Sequence, residues 1–232
     1  MIRHLTAFTA CLAMLVWAST SQATIIGFGQ LGGSNTAIPG NLGSNAAAGG
    51  NGYVVSNGAT PNVALTWDDQ WDIHTSGHFG KTEDLTVGGG DWDNEGGIPR
   101  IAQLDQHSHT IGFAAEPGYA VVLNSFDLGN TAETSDTSVW DLILTDSDTN
   151  TVWSQQVTLT NPDTDTVAIS PGFTGTNGGS YTLAFNQVGD PLTPQGRHAV
   201  DNLSFNQVTV PEPTSLVLVC LGVVSLVARR RR

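Results

Sequence analysis

The chain has 232 residues, with 21 acidic against 8 basic side chains and a formal net charge of −13. Between Thr24 and Val210 only Lys81, Arg100 and Arg197 are basic, against twenty acids, so this stretch carries −17. Such a surface repels phosphate backbones and anionic headgroups, which argues against nucleic-acid binding and peripheral docking on acidic membranes as functions of this stretch.

The two ends differ from the middle. Arg3 and His4 precede an apolar run from Ala7 to Trp17, and Ser21-Gln22-Ala23 supplies small residues before a cut. This order reads as a secretory signal peptide over residues 1–23, removed after Ala23. A retained signal anchor is the alternative, disfavoured because the apolar run is short for a bilayer. Cys11 and Cys220 both lie in the terminal segments. The body, residues 24–209, therefore folds without a disulfide although its route permits one. Its length suffices for a core, since a domain of this size buries about 70% of its unfolded surface.

Along the body, alternation of apolar and polar residues dominates, punctuated by Gly, Asn, Asp, Ser and Pro. That spacing predicts an all-β domain. The first strand is TIIGFG, from Thr24, and the next GYVVS, from Gly52. GGSNTAIPGNLGSNAAAGGN between them has few bulky side chains and reads as a long loop. GYAVVLNSFDLG, SVWDLILT, TVWSQQVTLT, SYTLAFNQ and AVDNLSFNQV are further strands, with Tyr181, Leu183 and Phe185 on one face. DSDTN, Asp146 to Asn150, carries turn chemistry and predicts a hairpin. Antiparallel sheets buried on one face and packed together make a β-sandwich, here expected to be jelly-roll-like.

Four clusters in the body could carry chemistry. WDDQWDIHTSGHFG gathers Trp67, Trp71, His74 and His78 with Asp68, Asp69 and Asp72. Exposed aromatics beside carboxylates can stack on sugar rings and bond their hydroxyls, which makes Trp67, Trp71 and Trp92 candidate glycan contacts, with core tryptophan as the competing reading. Trp140 and Trp153, in strand-like contexts, are expected in the core.

GGGDWDNEGG alternates Asp91, Asp93 and Glu95 before Gly96, a similar start to a calcium loop. Ala102 stands where an EF-hand needs its bidentate Glu, so the stretch is either a calcium-binding surface loop or an acidic turn. His107 and His109 flank Ser108 and would share a strand face, but no acid follows at cupin spacing. They read as solvated surface imidazoles. In AVDNLSF, strict alternation would put Ala199, Asp201, Leu203 and Phe205 on one face. A carboxylate among core residues needs Arg197, backbone amides or a bound Ca2+ as partner. This stretch, with GYAVVLNSFDLG and SYTLAF, looks like the C-terminal half of carbohydrate-binding-type jelly rolls, a likeness of fold. No GxSxG elbow, HExxH or P-loop occurs in the chain.

The last residues read VPEPTSLVLVCLGVVSLVARRRR. Two prolines around a charged residue hold Pro211-Glu212-Pro213 extended and out of lipid. A helix can start after Pro213. Thr214 to Ala228 would rise about 22 Å at ~1.5 Å per residue, against a hydrocarbon core of about 30 Å. Arg229, Arg230, Arg231 and Arg232 would fix the cytoplasmic end of this transmembrane helix. A plain single-pass anchor accounts for the helix and the arginines and leaves the Pro-Glu-Pro junction unexplained.

Residues 210–232 resemble the PEP-CTERM sorting signal of exported bacterial proteins. The resemblance implies that Pro211, Glu212 and Pro213 are the recognition motif of an exosortase, that the helix is a temporary anchor, and that the four arginines are the stop. Proteins of that kind are commonly associated with exopolysaccharide and biofilm matrix. The expectation is an exported, non-enzymatic protein of the cell surface or extracellular matrix, held transiently in the inner membrane and binding polysaccharide. The alternatives are a glycan-active hydrolase delivered by the same signal and a membrane-anchored domain.

Overall fold

The computed structural model describes residues 23–28, 31, 36–47, 58–69, 71–75, 100–104, 108–130, 137–159, 166–189 and 198–211. Among the described residues thirteen strands follow in order: β1 (Thr24–Ile26), β2 (Thr36–Ala37), β3 (Val63–Trp67), β4 (Trp71–Thr75), β5 (Arg100–Leu104), β6 (Ser108–Ala115), β7 (Tyr119–Asn130), β8 (Ser138–Asp146), β9 (Thr151–Leu159), β10 (Thr166–Ile169), β11 (Phe173–Thr174), β12 (Ser180–Val188) and β13 (His198–Thr209). An eight-stranded sheet runs β10-β7-β13-β5-β4-β2, with β1 also on β13 and β11 also on β7. A five-stranded sheet runs β3-β6-β12-β8-β9. Every pairing between these strands is antiparallel. The predicted all-β antiparallel sandwich is the observed class.

Alternation explains how the sheets meet. In β6, His109, Ile111, Phe113 and Ala115 point inward while Ser108, Thr110, Gly112 and Ala114 point out. β12 does the same with Tyr181, Leu183 and Phe185 buried. Aromatic side chains cross between the layers: Phe185 of β12 meets Trp71 of β4 and Phe126 of β7, each at a centroid distance of 5.5 Å, and Phe113 meets Phe205 at 5.9 Å. Burying each such side chain contributes about 1.5–3 kcal/mol. The core is one cluster drawn from both sheets.

The hairpin between β8 and β9 is as predicted. Asp146 N–H donates to Asn150 O at 3.0 Å, and Thr149 takes φ 65°. The segment expected to be a bare loop after β1 is more ordered than its composition implies. It contributes β2 and then a set of turns, Gly40 to Asn45, which lies along the outer edge of β3. Ser44 Oγ donates to Leu65 O and accepts from Leu65 N–H, both at 2.7 Å. Trp67 N–H donates to Gly40 O at 2.9 Å, and Asn45 N–H to Val63 O at 2.8 Å. The GYVVS strand lies outside the described residues.

β13 departs from simple alternation. Its register against β7 shifts between Asp201 and Ser204 and again between Ser204 and Phe205. Asn202 sits at φ 52°, a left-handed conformation that Asn tolerates better than most residues. This bulge changes the phase: Val200, Leu203 and Phe205 belong to the core cluster, whereas Asp201 is opposite Asp127 of β7 on the other face. The expectation that Ala199, Asp201, Leu203 and Phe205 share a face is thereby corrected.

At the end of β13, Val210 N–H donates to Gly118 O at 2.8 Å, and Pro211 is exposed. Glu212, Pro213, the expected helix and Arg229 to Arg232 lie outside the described residues, as do residues 1–22 of the expected signal peptide. Among the described residues no helix is long and apolar enough to cross a membrane.

Candidate functional site

The outward face of the five-stranded sheet carries small, hydroxyl-bearing side chains in rows set by strand register. One row is Thr66 of β3, Gly112 of β6, Thr182 of β12 and Thr145 of β8. Beside it run Ala64, Ala114 and Ser180, and on the other side Thr110, Ala184 and Ile143. Further along are Ser108, Asn186, Asp141 and Gln156. Low side chains make a shallow open trough of about 380 Å³, lined by Thr66, Thr110, Gly112, Ala114, Ser180 and Thr182, with Asp68, Asp146 and Ser147 at its margins.

Both marginal carboxylates are held in place. Asp68 Oδ2 accepts from Thr110 N–H at 2.5 Å and from Thr110 Oγ1 at 3.1 Å. Its Oδ1 stands 3.6 Å from Nδ1 of His109. Asp146 Oδ1 accepts from Asn150 N–H at 2.8 Å and from Asp148 N–H at 3.0 Å. Bonds first from the Asn150 side chain and then from its backbone hold the Asp146 carboxyl below the usual carboxylate range, so it is ionised at neutral pH. This surface of hydroxyls, an amide and two oriented carboxylates, with no cationic side chain among the described residues lining it, can accept hydrogen bonds from neutral polyol chains and repels anionic ones.

Trp67 and Trp71 are not sugar platforms. Their exposures are 3% and 0%, and their rings are 5.2 Å apart edge to face. Phe28 closes on Trp67 at 5.8 Å. Trp71 Nε1–H donates to Thr110 O at 3.0 Å and Trp67 Nε1–H to Leu42 O at 2.9 Å, so the polar edges are occupied too. Both sit at inward positions of their strands, where alternation drives them into the core. Trp92 lies outside the described residues. Trp140 is fully buried as expected, and Trp153 is partly buried against the core.

His109 corrects a second expectation. It is fully buried, its ring 5.1 Å from that of Trp71, rather than solvated. His107 lies outside the described residues, as do Asp91, Asp93 and Glu95. Asp201 is fully buried and accepts from the backbone N–H of Asn202 at 2.8 Å. Asp127 accepts from the Asn202 side-chain amide at 2.9 Å. Burial pushes the Asp127 carboxyl up, partly offset by that bond. Among the described residues no three His, Cys, Asp or Glu side chains come together as a metal site.

The trough was not singled out in the sequence, although its signal was present: the outward positions of β3, β6 and β12 from Ala64 to Thr66, Ser108 to Ala114 and Ser180 to Asn186 are all Thr, Ser, Ala, Gly or Asn. Such residues attract no motif.

Residues 209–232 match the PEP-CTERM protein-sorting motif. No curated protein matches the chain. Among solved structures, the CBM22-1 xylan-binding domain from Paenibacillus barcinonensis is 9% identical with a TM-score of 0.36, covering 78% of this chain and 99% of that one. TmCBM61 in complex with β-1,4-galactotriose is 13% identical with a TM-score of 0.31, covering 64% of this chain and 88% of that one. Similarity at this level carries no inference about a ligand.

Proposed function

We propose that this is an exported, non-enzymatic protein of the cell surface or extracellular matrix, released through its C-terminal signal, that holds polysaccharide in the trough of the five-stranded sheet. The carrying observation is where the sorting motif begins. The match starts at residue 209, and β13 ends at Thr209. The strands thus precede Pro211-Glu212-Pro213, and a cut beyond Pro211 removes none of them. In this reading an exosortase recognises the tripeptide while residues 214–228 hold the chain in the inner membrane, and the folded body leaves.

Support for polysaccharide as the ligand is chemical: hydroxyls and oriented carboxylates on an open, low surface fit an extended neutral glycan, bound weakly because no aromatic of the described face stacks on it. Calcium at Asp201, with Asp127 opposite on β7, belongs to the same proposal, since two neighbouring carboxylates welcome a hard cation.

Intact-mass measurement of the protein recovered outside the cell tests the sorting. Loss of the tail with the body complete is expected, and a product retaining Arg229 to Arg232 overturns it. Retention on insoluble neutral polysaccharide without release of sugar tests the rest. Turnover abolished by a single carboxylate substitution would show a hydrolase instead.

A further inference from the structure

We propose that β9 is a docking edge for a second copy of this chain, the two copies pairing antiparallel through β9 into one continuous ten-stranded sheet. The two edges of the five-stranded sheet are treated differently. On β3 the turns of Gly40 to Asn45 take up Val63 O, both Leu65 N–H and O, and Trp67 N–H, and Thr60 O takes Val63 N–H. On β9, the other edge, no described strand or loop pairs with the outer side of residues 151–158. Ser154, Gln155 and Gln156 are exposed, and Val152 is 39% exposed.

Natural edges of this length are blunted by charge, proline or cover. TVWSQQVTL has none of the first two: nine residues without a charged side chain, a proline or a glycine. In a body carrying −17, two copies repel at most approaches. A neutral strand is where like-charged copies can come together, which favours a second copy over a cationic partner that the acidic faces would attract instead.

The strand is also self-complementary. From Trp153 to Leu159 it pairs regularly with β8, with Trp153, Gln155 and Val157 opposite the core residues Leu144, Leu142 and Trp140. Antiparallel pairing of two such strands about a two-fold axis keeps the inward residues of both copies on one face and covers the exposed part of Trp153. The acidic hairpin at Asp146 and Asp148 lies beside the start of the strand, so association weakens at low ionic strength.

Sedimentation of the full chain in mild detergent, over a concentration series, is the test. A reversible dimer is expected for the native sequence. Gln155→Lys, which puts an ammonium at an exposed inward position of the monomer but inside the paired edge, should weaken it by about tenfold or more. A monomer at every concentration, or a dimer indifferent to Gln155→Lys, overturns the proposal. Should that variant not fold, hydrogen exchange of the native chain decides: backbone amides of residues 151–158 gain protection as concentration rises, and unchanged exchange there overturns the pairing.

Discussion

The side-chain amide of Asn202 donates to Asp127 Oδ2 at 2.9 Å, tying the bulge of β13 to the strand beside it. The same residue holds φ 52°. Asn202→Gly keeps the conformation and loses the bond. Asn202→Ala loses both, at a cost of about 1–2 kcal/mol for the left-handed backbone and ~1 kcal/mol for the bond. Thermal melting should rank the native chain above the Gly variant and the Gly variant above the Ala variant.

Asp127 gives a pH signature. Its folded carboxyl titrates above the ordinary value because burial disfavours the charge. The folded state therefore binds the proton more tightly than the unfolded one, so stability from this group falls as pH rises from below the ordinary carboxylate value to above the raised one. Asp127→Asn should raise the melting temperature of the body at neutral pH and leave it unchanged in acid, measured with chelator present. With calcium added, the proposed cation site reverses the sign, the variant being the less stable.

Trp71→Ala empties a core position and should cost about 3–5 kcal/mol, whereas Trp71→Phe keeps packing and loses chiefly the bond to Thr110 O, about 1–2 kcal/mol. Polysaccharide retention by the folded Phe variant should equal that of the native chain. A specific loss of retention would show that the indole touches sugar.

The trough predicts the opposite pattern. A Cβ at Gly112 meets Thr66 Cβ at 3.5 Å, ordinary contact, so a side chain fits there and rises into the open space. Gly112→Leu should leave the melting temperature within a few degrees, as surface changes of about 0.5 kcal/mol do, and reduce retention on neutral polysaccharide about tenfold. Thr182→Arg, at an exposed neighbouring position, should act likewise.

Ser44→Ala removes the middle of the cover on β3, leaving the bonds of Asn45 to Val63 and of Trp67 to Gly40. It leaves Leu65 N–H and C=O without their 2.7 Å partner, costing about 1–3 kcal/mol. It also loosens the turns that close this edge, so aggregation on heating should begin at lower temperature than in the native chain.

Strand alternation carried most of the fold. The inward residues of β6, β8 and β12 follow the period of two, and the Asp146–Asn150 hairpin follows from its turn residues. Where alternation failed, a backbone irregularity intervened: one left-handed residue at Asn202 moved Asp201 off the face of Leu203 and Phe205. Asn after Asp is a local hint of such a bulge, but its effect depends on a pairing that the strand does not encode by itself. Trp67 and Trp71 misled because a tryptophan among aspartates looks the same in sequence whether the indole faces inward or outward. The trough is a property of three strands laid side by side, and no single one of them announces it.

Ser44 has one more consequence. With the turns of Gly40 to Asn45 along β3 and no described segment on the outer side of residues 151–158, the proposed pairing through β9 would stop at two copies instead of running on into a fibre. Such a pair would turn its two troughs toward the same side, and two weak grips acting together hold a long polymer far better than either alone. Extended networks would then have to be knitted by the polymer, with the protein serving as its clasp.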